Sequence, residues 1–171
     1  MRALLTAALV LVAAPAFAQN ATPKTEKPVC PATPAMTGEF AHWTHAGPVT
    51  ATVDAKGAPL LKVGTPLKVT LIDSTRVTYK RARATPPTTP VYSGTLSLKV
   101  ETAGQYGIAA GAGVWIDVEK DGKTLQSNKH GHGPDCSGVR KIVEFALEPG
   151  SYTVHLVDNK EPTITVMAVA R

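Results

Sequence analysis

Four of the five histidines fall in two short clusters, and imidazole at that local density raises metal chemistry first. One cluster is His42-Trp43-Thr44-His45. The other is His130-Gly131-His132-Gly133-Pro134-Asp135-Cys136. Neutral imidazole and thiolate are the usual ligands of zinc and copper, and a glycine-rich loop can wrap closely around an ion. Brought together, His42, His45, His130 and His132 would form a four-imidazole site for Zn, Cu or Fe. The spacings, His-x-His and His-x2-His, match neither the Cys-x2-4-Cys nor the His-x3-5-His halves of zinc signatures, so a metal site would rest on ligand type alone. The competing reading is a solvated glycine-rich loop whose histidines make ordinary hydrogen bonds.

Trp115 and Asp117 are the second candidate. The run Val114-Trp115-Ile116-Asp117-Val118-Glu119 alternates, so burying Val114, Ile116 and Val118 leaves Trp115, Asp117 and Glu119 on the opposite face. An exposed indole beside a carboxylate can act as a stacking platform for a ligand such as a sugar. Alternatively, a second layer covers Trp115. The same rule puts His155 opposite Tyr152, Val154 and Leu156, on a face expected to meet solvent. Covalent catalysis has little to build on. There is no Gly-x-Ser-x-Gly elbow, Ser137 has no evident base, and Asp135 with His132 is at most half of a dyad. Asp117, Glu119 and Glu144 could supply paired carboxylates, but nothing in the sequence selects among them.

These residues need a scaffold, and the chain ends say where it operates. Arg2, an apolar stretch from Ala3 to Val12 and Ala16-Phe17-Ala18 make a signal-peptide pattern over 1–18, with cleavage expected between Ala18 and Gln19. The apolar stretch is well short of the roughly 20 residues that span a bilayer, and no later segment approaches that length. The expected location is therefore periplasmic or secreted, with no transmembrane segment in the mature chain. In an oxidising compartment the two cysteines, Cys30 and Cys136, are most simply one disulfide, with a free thiol or thiolate ligand as the alternative. The formal net charge is +5, falling by one if Arg2 leaves with the leader. Outside Lys80-Arg81-x-Arg83 the basic residues are scattered, which argues against a nucleic-acid partner.

Residues 19–38 are rich in Pro, Thr and Ala without an apolar period and read as an extended segment. One domain is expected over 39–171. Its pattern predicts short strands at Val49–Val53, Pro66–Ile72, Arg76–Lys80, Thr95–Glu101, Gln105–Ala109, Val114–Val118, Lys123–Gln126, Lys141–Leu147, Tyr152–Val157 and Thr163–Val169. Asp121-Gly122 sits where a two-residue hairpin turn needs positive φ. Residues 82–91, with three prolines, read as a surface loop or a crossover between sheets. No convincing helical stripe occurs. The expected fold is all-β, an antiparallel β-sandwich or jelly roll of about 8–9 short strands.

The phrase Ala103-Gly104-Gln105-Tyr106, then Trp115-Ile116-Asp117-Val118 with its Asp-Gly turn, then Phe145-Ala146-Leu147-x-Pro-Gly150-Ser-Tyr152, resembles exported modules such as pre-peptidase C-terminal domains and carbohydrate-binding jelly rolls. The resemblance covers about 65 residues and speaks to architecture. The His-Gly-His-Gly-Pro-x-Cys segment also resembles short exported proteins that carry the name homogentisate 1,2-dioxygenase. That activity would require ferrous iron on two His and a carboxylate with open positions. The leading expectation is an exported binding or accessory domain whose partner is an envelope component, a carbohydrate or a protein. A metal-binding protein and a non-haem iron enzyme are the alternatives.

Overall fold

The computed structural model describes residues 29–31, 36–79, 81–82 and 85–171. The signal-peptide pattern, its Ala18/Gln19 cleavage point, most of the 19–38 segment, Lys80 and Arg83 lie outside the described residues.

Two sheets face each other. The first contains β1 (Gly47–Thr50), β2 (Leu67–Thr70), β5 (Gly104–Ala110), β8 (Lys129–Gly131), β9 (Lys141–Leu147) and β11 (Thr163–Ala170), in the order β1-β2-β11-β5-β9-β8. The second contains β3 (Ile72–Asp73), β4 (Tyr92–Val100), β6 (Trp115–Lys120), β7 (Lys123–Thr124) and β10 (Gly150–Asn159), in the order β3-β4-β10-β6-β7. All pairings are antiparallel except β1 with β2, which run parallel. The chain is an all-β sandwich.

Alternation builds the core as the sequence implies. Leu96, Leu98 and Val100 of β4 meet Val154 and Leu156 of β10 and Ile116 and Val118 of β6. From the other sheet come Ile108, Val143, Phe145, Leu147, Ile164 and Val166. Tyr106 and Tyr152 point into this core, and each donates its hydroxyl to a carbonyl four residues earlier, Thr102 and Glu148, at 2.7 Å. A buried Tyr is thereby satisfied at the end of each sheet. Asp121 (φ 51°) and Gly122 (φ 76°) form the expected turn between β6 and β7.

Three local expectations change. Of the strand expected over Arg76–Lys80, the described part, Arg76–Tyr79, is not a strand. Its described residues run across the outer side of the second sheet, with Val77 buried there and Thr78 N–H donating to Val53 O at 2.8 Å. The strand expected over Lys123–Gln126 is only Lys123–Thr124, with one further backbone bond from Leu125 N–H to Val118 O at 2.8 Å, and β8 in the histidine-rich loop was not anticipated. The crossover 51–65 does more than connect. Thr52 pairs Thr95, Leu60 pairs Ser97 and Val63 pairs Ala168, so it covers the free edge of β4 and closes that side of the sandwich.

A second apolar cluster lies on the outside of the first sheet. Phe40, in the 3-10 turn Gly38–Phe40, and Trp43, in the turn that follows, cover Ala109, Ile142, Met167 and Val169. Their rings meet edge to face, 6.3 Å apart at 87°. The Cys30–Cys136 disulfide forms, tying the chain before this turn to the loop beyond β8. No helix among the described residues is long and apolar enough to cross a membrane.

Candidate functional site

With one side of the sandwich closed by the crossover, the opposite side is where the sheets part. β7 pairs with Glu119 and Lys120, and Leu125 N–H reaches Val118 O, so at residues 115–117 β6 is the edge of its sheet. On the other sheet β8 is also short. Between them lies a cleft of about 410 Å³, floored by Ile116, Leu125, Val143 and Phe145 and rimmed by polar side chains including Trp115, Asp117, His130 and Lys141. Its volume falls in the range of small-molecule sites.

Trp115 is the exposed aromatic at this rim, 43% accessible, so no second sheet covers it, although the Arg81 guanidinium packs on a face of the ring. Its orientation is fixed, because Nε1–H donates to Asp117 Oδ1 at 2.9 Å. The other oxygen, Oδ2, accepts from the Tyr79 hydroxyl at 3.0 Å. The Arg81 guanidinium lies 3.4 Å from the indole centroid and the Lys141 ammonium 5.1 Å from it, both within cation–π range. Desolvation lowers the Lys141 pKa; Asp117 opposes this and Arg81 reinforces it. The Tyr79 hydroxyl is pushed up, first by burial and then by the carboxylates of Asp117 and Glu119, with Thr124 opposing.

Behind this rim, His155 departs from expectation. It does sit on the outer face of β10, yet it is only 5% exposed, because the Tyr79 ring stacks on it at 3.9 Å and 5°. Alternation assigns a residue to a face; it does not say whether non-sheet chain covers that face. His155 Nδ1 lies 3.3 Å from Thr95 Oγ1. Among the described residues Nε2 has no hydrogen-bond partner within 3.5 Å, and it stands 3.7 Å from Glu119 Oε2. Desolvation lowers its pKa, while Glu119 and Asp117 pull the other way.

The four clustered histidines are not gathered. His130, on β8, lines the cleft beside Trp115. His132, beyond the strand, lines a shallow depression outside the first sheet with Glu39, Phe40 and Arg171, and its Nδ1 lies 2.6 Å from Arg140 O. His42 and His45 are exposed in the turn around buried Trp43, with His45 Nδ1 3.4 Å from Thr44 Oγ1. Among the described residues no three of His, Cys, Asp and Glu come together as a metal-holding group. The residues therefore do not fit a four-imidazole Zn or Cu site, nor the two-His-one-carboxylate iron centre that the dioxygenase resemblance implies. Cys136 is in the disulfide and offers no thiolate.

Sequence reasoning missed Tyr79, Arg81 and Lys141. Arg81 lies in the single basic cluster, Lys80-Arg81-x-Arg83, which was a usable signal. Lys141 opens a strand as any surface lysine could.

No family model matches the chain, and no curated protein does. Among solved structures, the pre-peptidase C-terminal domain of a collagenase from Bacillus anthracis is similar at a TM-score of 0.42 and 14% identity. The match covers 65% of this chain and 93% of that one. A likeness at this level transfers nothing of that domain's role.

Proposed function

We propose that this chain is an exported, non-catalytic binding module, stapled by Cys30–Cys136, that holds a saccharide of the cell envelope in the cleft beside Trp115. One observation carries the reading: an accessible indole, held in place by a carboxylate, at the rim of an apolar-floored cleft. A sugar presents an apolar face of C–H groups and a ring of hydroxyls, which suits a fixed aromatic next to polar side chains. Catalysis is not favoured, because Asp117 is the sole carboxylate lining this cleft among the described residues, and both its oxygens already accept hydrogen bonds.

The test is binding of the mature chain to a panel of neutral and acidic oligosaccharides, with Trp115→Ala as the variant. Removing a central aromatic anchor should weaken binding at least about tenfold. Trp115 lies outside the sandwich core, so the fold should survive, as checked by circular dichroism. Undiminished binding by Trp115→Ala would move the site elsewhere on the molecule.

A further inference from the structure

The charges around the indole do not balance. Arg81 and Lys141 converge on the same ring, at 3.4 Å and 5.1 Å from its centroid. Neither makes an ion pair within 4.0 Å among the described residues, whereas Arg171 elsewhere is held between Glu39 and Glu144. Asp117 supplies one negative charge, but its oxygens are engaged by the Trp115 N–H and the Tyr79 hydroxyl. Beside the ring the two cations face Asp117, while Glu119, the next carboxylate on that face of β6, stands against His155 at 3.7 Å, and Lys141 is half-buried. Like charges brought together in a partly desolvated place repel, and a bound anion relieves that repulsion. Arg81 further suits an oxyanion, because the planar guanidinium can present two parallel N–H donors. His130 lines the same cleft as Lys141.

We infer that the cleft selects an acidic saccharide, one whose sugar ring carries a carboxylate or a sulfate ester, with the anion seated between Arg81 and Lys141 and the ring over the apolar floor beside Trp115. This rests on the binding reading above and goes beyond it by naming the charge of the ligand. The positive rim would also speed encounter with a polyanionic chain, an effect that salt screens.

The experiment uses the mature, disulfide-bonded protein and three kinds of probe. These are uronate oligosaccharides (galacturonate, glucuronate and mannuronate series), their methyl esters and sulfated neutral oligosaccharides. Binding is followed by calorimetry and by the Trp115 indole N–H resonance, assigned with Trp115→Phe. The expected result is that at least one acidic series binds about tenfold or more tightly than its uncharged counterpart and shifts the Trp115 signal. That preference should shrink between about 0.05 and 0.5 M salt, over which the screening length falls roughly threefold. Lys141→Gln and Arg81→Gln should each reduce the acid-to-ester ratio at least about threefold. The carboxylate and sulfate arms say which anion is preferred. Equal binding of acid and ester forms, or Trp115-dependent binding of neutral sugars only, would overturn the charge inference and leave the binding module standing. No binding by any probe, with the indole signal unmoved, would overturn both.

Discussion

Lowering the pH should destabilise this protein through one buried histidine. His155 is enclosed by the Tyr79 ring above it, Thr95 on β4, and Asp117 and Glu119 on β6. Its Nε2 is buried without a hydrogen-bond partner among the described residues, and desolvation holds its pKa below 6.5. The unfolded chain therefore takes up a proton near pH 6.5 that the folded chain resists. Stability from this group is complete above that pH and is lost as pH falls from 6.5 through the folded value, below which the curve flattens. For a histidine that stays wholly neutral in the fold, going from pH 7.5 to 5.5 would cost about 1.4 kcal/mol. Glu119 Oε2, 3.7 Å from Nε2, favours the charged ring and makes the actual loss smaller than this ceiling. The assay is urea unfolding at both pH values, comparing wild type with His155→Phe, which retains a ring beneath Tyr79. The variant should lose less stability than wild type on acidification. Glu119→Gln, which removes the opposing carboxylate, should lose more and approach the ceiling. Identical losses in all three proteins would refute the assignment of the pH dependence to His155.

Three further outcomes are expected. Replacing both Cys30 and Cys136 with Ser opens a loop of sequence separation 106, which the chain-entropy account puts at up to about 4.8 kcal/mol; denaturant unfolding of the double variant measures it, and no change would mean the staple is thermodynamically idle. Gly94→Ala would place a Cβ 2.4 Å from Ala51 Cβ and 3.2 Å from Leu71 Cδ2, both in the packed core, so an overpacking loss of about 1–3 kcal/mol is expected in the unfolding midpoint. Adding Zn, Cu or ferrous iron to the native protein should leave its melting temperature unchanged, whereas stoichiometric retention lost in His130→Ala would revive a metal site.

Much of the scaffold was legible in the residues because period-2 alternation reports directly on which side chains face inward. Lys141–Leu147 was read to the residue, and Asp121-Gly122 marked its turn because few residue pairs accept positive φ twice. The cysteine pairing followed from there being only two. Trp115 and Asp117 were placed on the correct face by the same alternation. What lay outside that rule was decided by chain packed against the sheets without belonging to them. Arg76–Tyr79 alternates like a strand, yet it finds few backbone partners and instead covers the outer face, burying His155. The 51–65 crossover closed one side of the sandwich and left the cleft on the other. His130 and His132 are two residues apart but line depressions on different sides of a sheet, so sequence proximity did not become a ligand set. Local pattern determines which way a side chain points along its own strand. Which distant residues meet it, here Arg81 and Lys141 around Trp115, depends on contacts between segments far apart in the chain, and only tertiary packing decides those.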